Sequence, residues 1–378
     1  VDFELIDTQP AFEALMDAVE GAPLVALDTE AASFHRYHDR VYLVQLTVPG
    51  RTVVIDPLGL TDLGRLGRLL ADPGSEKIFH DADYDLRLFQ KEYGFEPRRL
   101  FDTRIAAQFT AEPGIGLAAL LAKYFDVRPD KRFQRADWSA RPLTDGMLEY
   151  AAGDTHLLCE LRSILRGNLI EMGRLSWAEE EFGLVESTRW DPGEADPRVT
   201  FMKLKGARKL DRRALAILRE LYVWRETTAS ALDRATFRVL GNEVLFHLAT
   251  HPAKSREDLG RVRGIGPDTV NRRGDELLDA IARGLAIPED ELPKFVRGAR
   301  HAHDPEFETR VGALKLRRNA LAEEFALQPG VLCPNAILEG IARLMPTAVE
   351  GMTAVAGMRR WQREVFGEAL LETIDGTR

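Results

Sequence analysis

The stretch Leu24-Val25-Ala26-Leu27-Asp28-Thr29-Glu30 runs from four apolar residues straight into two carboxylates. A short buried strand has this form, with the acids emerging at its C-terminal end. Side chains alternate along a strand, so Asp28 and Glu30 point the same way. Two neighbouring carboxylates repel unless positive charge lies between them. A divalent cation that prefers oxygen ligands, such as Mg²⁺, meets that need. Two more acids suit the same site. Asp85 lies in Phe79-His80-Asp81-Ala82-Asp83-Tyr84-Asp85-Leu86, and Asp154 in Tyr150-Ala151-Ala152-Gly153-Asp154. Tyr150 and Asp154 are one helical turn apart and share a face.

Taken in order, these segments resemble the three motifs of the DEDDy 3′→5′ exonucleases, and those of the ribonuclease D family in particular. The first is Asp28-Thr29-Glu30, followed by Tyr42-Leu43-Val44-Gln45-Leu46. The second is His80 to Asp85-Leu86, followed by Phe101-Asp102-Thr103. The third is Tyr150 to Asp154, preceded by Asp137-Trp138 and Arg141-Pro142-Leu143. A lone Asp-x-Glu is weak; three motifs in order and at family-like spacing are specific. The resemblance covers about residues 20–165, with one departure, Ala31 where relatives often carry an aromatic.

The resemblance implies an α/β ribonuclease H-like domain, a mixed sheet with helices on both faces. It also implies phosphodiester hydrolysis with two divalent metal ions, Mg²⁺ or Mn²⁺, about 4 Å apart. Asp28 would bridge both ions. Glu30 and Asp154 would complete the one that holds the attacking water, and Asp85 would hold the second. Tyr150 would orient the water. Nucleoside 5′-monophosphates would leave from RNA with an accessible 3′ end, tRNA precursors among them. Nothing in the motifs reads a 2′-hydroxyl, so a DNA exonuclease stays open. An inactive nucleic-acid-binding scaffold would be favoured by a missing carboxylate, and none is missing. Other residues have plainer readings. Asp102 is the expected N-cap of a helix at Thr103–Phe109, and Thr144 of the helix bearing Tyr150. His80 reads as structural, and Asp81 and Asp83 as solvated or capping. Trp138 is either a brace for the Tyr150 helix or core. Lys131, Arg132 and Arg135 either meet RNA phosphate or form a solvated face.

The chain has 378 residues, enough for two or three domains. No apolar run approaches the roughly 20 residues of a membrane span, and Val1-Asp2-Phe3-Glu4-Leu5 lacks signal-peptide features. Cys159 and Cys333 have neither zinc-site nor disulfide spacing. A reducing cytoplasm and no membrane partner are therefore expected. The net charge of −9 is unevenly spread. Residues 1–200 carry 22 basic and 35 acidic side chains, residues 201–287 carry 17 and 11, and residues 288–378 carry 12 and 14. An acidic catalytic part with a basic neighbour suits a nuclease that grips phosphate partly outside its catalytic domain.

Strand-like runs lie at Leu24–Leu27, Val41–Val48, Val53–Ile55 and Ile78–Phe79. The first three should pair antiparallel across short turns, Pro49-Gly50 being one. Helical patterns lie near Leu63–Leu70, Tyr84–Tyr93, Leu117–Phe125 and Met147–Arg166. Proline, glycine and polar residues mark a linker from Ser187 to Thr200 and a second break near Ile287–Pro293. The expected domains are an exonuclease over 1–190 and two helical domains over 201–287 and 294–378. The last two repeat each other at an offset of 93 residues: Arg225 with Arg318, Ala229 with Ala322, Asn242 with Asn335, Gly264 with Gly357, Gly274 with Gly367, Ile281 with Ile374. Each resembles an HRDC domain, an all-α nucleic-acid-binding module, and the second is the more divergent. In the first copy Gly264-Ile265-Gly266 precedes a helix, and its backbone amides suit a phosphate. Arg261, Arg263, Arg272 and Arg273 surround it. In the second copy Arg359 stands where Gly266 would be, so that cradle is expected to be lost.

Overall fold

The computed structural model describes residues 1–193, 196–295 and 304–377. Residues 194–195 of the expected linker, 296–303 of the expected second helical domain, and Arg378 lie outside them. The first part of the chain runs β1 (Glu4–Ile6), α1 (Gln9–Val19), β2 (Leu24–Glu30), β3 (Leu43–Val48), β4 (Arg51–Ile55), α2 (Gly64–Ala71), β5 (Glu76–Phe79), α3 (Asp83–Tyr93), β6 (Leu100–Asp102), α4 (Thr103–Phe109), α5 (Leu117–Phe125), α6 (Asp145–His156), α7 (Leu158–Glu171) and α8 (Leu175–Glu186).

The six strands lie in the order β1-β4-β3-β2-β5-β6. β2 and β4 pair antiparallel with β3, whereas β1–β4, β2–β5 and β5–β6 are parallel. Alternation along β2 explains the two-sided core. Val25 and Leu27 join Phe12, Leu66, Leu86 and Phe89, which lie on α1, α2 and α3. Ala26 faces the other way, with Ala107, Leu161 and Phe182 of α4, α7 and α8. This is the mixed sheet with helices on both faces.

Several local details differ from the sequence expectation. β2 does not stop at Leu27 but carries Asp28 and Glu30 within it. β2 reaches β3 through residues 31–42 rather than a tight turn. The helix expected over Met147–Arg166 breaks at Leu157 into α6 and α7. The three-residue strands β1 and β6 are too short to show a period.

The remainder is helical: α9 (Pro197–Thr200), α10 (Arg212–Ala231), α11 (Thr236–Val239), α12 (Asn242–Thr250), α13 (Arg256–Arg261), α14 (Pro267–Ala286), then α15 (Pro305–Glu324), α16 (Pro329–Leu332), α17 (Asn335–Leu344) and α18 (Arg360–Asp375). α10 packs along α14 closely enough that a Cβ on Gly284 would lie 2.5 Å from Ile217 Cα. The 93-residue repeat is physical. Buried Arg225 donates to Leu240 O and to Asn242 Oδ1, at 3.3 and 2.6 Å. Buried Arg318 donates to Cys333 O and to Asn335 Oδ1, both at 3.0 Å. A buried guanidinium must be hydrogen-bonded, and both copies solve this with an Arg–Asn pair and a backbone carbonyl at the same positions. Among the described residues no helix is long and apolar enough to cross a membrane.

Candidate active site

Carboxylates from three elements converge at the C-terminal end of β2. Asp28 and Glu30 project from one side of the strand, and Asp154 approaches from α6; their oxygens lie within 4.8 Å of one another. Asp85 lies outside this trio. It sits in the first turn of α3, on the far side of β2, where its Oδ1 accepts a hydrogen bond from the Thr29 hydroxyl. Its charge still reaches the others and raises the pKa of both Asp28 and Glu30.

The surrounding chain positions these acids. After β5 the backbone turns through Asp81 at φ +71° into α3. Asp102 holds that turn, accepting from the amides of Asp81 and Ala82 at 3.2 and 2.9 Å. The same carboxylate caps α4, through Arg104 N at 2.8 Å and Ile105 N at 3.2 Å. Asp102 is therefore structural, as its place before a helix suggests. His80 is structural too: its Nδ1 lies 2.9 Å from the Thr103 hydroxyl, and burial lowers its pKa to about 4. Asp81 pairs with Arg104, and Asp83 with Arg87 at 2.8 Å.

Thr144 caps α6, its hydroxyl accepting from Met147 N at 3.3 Å. Thr155 and His156 tie the helix to the sheet, through Thr47 at 2.9 Å and Thr52 at 3.0 Å. Tyr150 lies against Phe133 and the fully buried Trp138, with ring centroids 6.1 Å apart in each case. The Trp138 segment is fastened by Arg141, which donates to Asp56 at 2.6 and 2.8 Å and to Tyr42 O at 2.9 Å. Trp138 is thus both core and brace. The Tyr150 hydroxyl faces the Asp154 carboxylate, whose charge helps to raise its pKa.

The electrostatics of the cluster are unbalanced. Among the described residues no arginine, lysine or histidine forms an ion pair with Asp28, Glu30, Asp85 or Asp154. Burial, then Asp85, Asp154 and Glu30, push Asp28 well above the ordinary carboxylate range. Burial and the charges of Asp154 and Asp85 do the same to Glu30. Burial raises Asp85 and Asp154 to about 7. Tyr150 is raised by burial and by the neighbouring carboxylates. Desolvation and like charge both penalise ionisation here, and a bound cation relieves both. The donors are hard oxygens, the set that divalent cations prefer.

One residue of the site received no role from the sequence. Gln45 sits opposite Asp28 across the β2–β3 ladder. It is 0% exposed, yet neither its amide oxygen nor its nitrogen has a partner. Burying an amide without a hydrogen bond is costly, and Gln45 bears that cost in the strand that pairs with β2. The available signal was an amide side chain inside the otherwise apolar strand Leu43–Val48, where Thr47 is the other polar residue.

The residues singled out in the first helical copy stand apart from this cluster. Gly264 adopts φ +98°, and a Cβ there would meet Val244 Cγ2 at 2.8 Å. Gly266 is the residue before α14. Arg263 and Arg272 are exposed. Arg261 pairs with Glu257 at 2.5 Å, Arg272 with Asp268 at 3.7 Å, and Arg273 with Glu276 at 3.1 Å. Such surface pairs are weak and exchange readily for a stronger anion. Lys131, Arg132 and Arg135 are exposed beside the Tyr150 brace, Arg132 being paired with Asp130 at 2.5 Å.

Known proteins agree with this architecture. A family model for 3′→5′ exonucleases matches residues 3–170, and the HRDC-domain model matches twice, over 214–281 and 307–374. Ribonuclease D of Acidiphilium cryptum is 33% identical over 98% of this chain and 93% of its own. The crystal structure of Escherichia coli RNase D, described as an exoribonuclease involved in structured RNA processing, superposes with a TM-score of 0.72 at 28% identity, covering 100% of this chain and 99% of that one. A protein from Bifidobacterium adolescentis superposes with a TM-score of 0.84 at 26% identity, covering 99% and 97%. The chain, an exonuclease domain with a mixed sheet followed by helical HRDC domains, belongs to the ribonuclease D family of 3′→5′ exoribonucleases.

Proposed function

We propose that Asp28, Glu30, Asp85 and Asp154 hold two divalent metal ions, Mg²⁺ or Mn²⁺, and that the chain removes nucleoside 5′-monophosphates from the 3′ ends of structured RNAs, tRNA precursors among them. The observation that carries this reading is the cluster of carboxylates at the end of β2, which has no basic partner among the described residues. When bound, two such cations stabilise the attacking and leaving oxygens of an in-line displacement. The rest is the work of side chains. Asp28, flanked by Glu30 and Asp154, would serve both ions, with those two acids completing the hold on one of them. Asp85, held by Thr29, serves the second position from across the strand. Water adds its oxygen to the terminal phosphorus, the bond to the preceding 3′-oxygen breaks, and that oxygen takes the proton.

Tyr150 orients the attacking water. Its raised pKa keeps the phenol protonated near neutral pH, so it positions rather than abstracts. The reading is tested by incubating 5′-labelled RNA and DNA of one sequence with Mg²⁺, with Mn²⁺ and with EDTA. A ladder shortening one nucleotide at a time on RNA, abolished by EDTA, is expected. Metal-independent cleavage would overturn the metal assignment, and faster cleavage of DNA the substrate assignment.

A further inference from the structure

Two exposed aromatic rings face each other across the seam between the exonuclease domain and the first HRDC domain. Phe34 is 42% exposed and Phe237 54%. Their centroids are 6.3 Å apart, edge to face. Each carries a guanidinium: Arg135 lies 5.0 Å over the Phe34 ring, and Arg238 5.9 Å over Phe237. Among the described residues neither arginine is in an ion pair with a carboxylate. The seam is fastened by the backbone beneath the rings. Arg238 Nε donates to Phe34 O at 2.7 Å, and Ala235 N to His35 O at 3.1 Å. Asp233 accepts from the amides of Tyr37 and His38 at 3.1 and 3.0 Å. The rings are not needed for those bonds, and the seam leaves them in water.

This row lies beside the carboxylate cluster by two routes. Phe34 follows Glu30 by four residues, a span of no more than about 14 Å even fully extended. Arg135 lies between Phe133 and Trp138, both of which pack on Tyr150. Scattered exposed aromatics need no explanation, but two in contact, each under a guanidinium that has no carboxylate partner among the described residues, are a different object. Flat rings accept bases of any sequence, and arginines accept the phosphates between them, which is how single strands are held without sequence preference.

We propose that Arg135, Phe34, Phe237 and Arg238 form a base-stacking subsite for the single-stranded RNA that lies 5′ of the nucleotide being removed. The proposal rests on the exoribonuclease activity. With the 3′ end in the carboxylate cluster, all remaining RNA runs to its 5′ side, and this row is a neighbouring surface that suits bases and phosphates together. The subsite spans two domains, so it would also make the first HRDC domain part of the substrate path from the first few nucleotides onward.

The test uses the full chain in EDTA and short single-stranded RNAs with 2-aminopurine at successive positions from the 3′ end. Stacking should quench the fluorophore at an internal position. Phe34→Leu and Phe237→Leu keep apolar bulk but remove the flat face. Each should lose the quenching at that position and weaken binding by about 5- to 140-fold, the loss expected for one stacked base. Phe34→Trp and Phe237→Trp should restore it. With Mg²⁺, the ratio of kcat/KM on a ten-nucleotide RNA to that on a dinucleotide should fall in the leucine variants by at least fivefold. Asp233→Ala, which cuts seam bonds but spares the rings, should retain the quenching. Unchanged quenching in the leucine variants, or equal loss in Asp233→Ala, would assign the rings to packing and overturn the proposal. Absence of RNA hydrolysis by the unaltered chain with metal would instead overturn the activity, while the quenching is still read in EDTA.

Discussion

Asp28 is half-buried beside three other acids, with no basic partner among the described residues, and its pKa is pushed well above the ordinary carboxylate range. Asp28→Asn should therefore abolish hydrolysis and raise the Tm of metal-free protein, because it removes both a ligand and a repulsion. More than a few per cent of residual Mg²⁺-dependent activity would contradict its bridging role. Tyr150→Phe should lower the single-turnover rate by roughly 10²–10³, the usual cost of one transition-state donor. Kd for RNA and for metal should hardly move, and an unchanged rate would remove Tyr150 from the mechanism.

The same burial makes stability depend on pH. Asp85 and Asp154 titrate at about 7 when folded, against 3.8 ordinarily. A carboxylate with a raised folded pKa favours folding fully below its unfolded pKa, and that contribution is lost as pH rises through the folded value. In EDTA, Tm should fall as the pH is raised from 4 to 8, and Asp154→Asn should flatten part of the fall. Mg²⁺ should restore more stability at pH 8 than at pH 5. Calorimetry showing the same pH slope with and without Asp154 would refute this.

At the scale of elements, the proposal that the first HRDC domain contacts phosphate rests on the N-terminal end of α14. Gly264 needs its positive φ and close approach to Val244, and it leads the chain through Gly266 into a helix that no side chain caps. Arg263 and Arg272 stand exposed beside it. Replacing both with alanine should weaken binding of long RNA and flatten the plot of log K against log salt. The expected change in slope is about 0.7 for each single-strand phosphate that is no longer neutralised. Titrations at several salt concentrations measure it, and an unchanged slope would show that phosphate is gripped elsewhere.

Across the whole molecule, the two HRDC copies use the same helix end differently. In the second copy the start of α18 is filled from within the chain. Glu180 of α8 accepts from the amides of Arg360 and Trp361 at 2.7 and 3.0 Å. Glu181 accepts from Arg359 Nε at 2.8 Å and from Trp361 Nε1 at 3.2 Å. Trp361 stacks on Trp177 at 4.9 Å and meets Phe109 edge-on at 5.3 Å. Carboxylates of α8 thus bond the first amides of α18, and the second copy is docked on the exonuclease domain. Glu180→Ala with Glu181→Ala should cost on the order of 3 kcal/mol, since hydrogen bonds to charged groups are the stronger ones. It should also speed amide exchange in α18 while leaving α14 unchanged. Equal protection of α18 in both proteins would show that the aromatic contacts alone hold the dock.

The sequence alone determined whatever depends on neighbours in the chain. Alternation in β2 placed Asp28 and Glu30 on one side, helical spacing paired Tyr150 with Asp154, and capping chemistry located Asp102 and Thr144. The 93-residue echo announced two copies of one helical core, because buried positions constrain residue type wherever they recur. Only the tertiary structure decided the rest. It set Asp85 on Thr29 across the strand, left Gln45 buried without a partner beside Asp28, and brought Phe34 to Phe237 over some two hundred residues of chain. It also gave Arg359 the Glu181 carboxylate as its partner. These pairings arise from packing between distant segments. No local period records such packing, because its free energy comes from surfaces that meet only after the chain has folded.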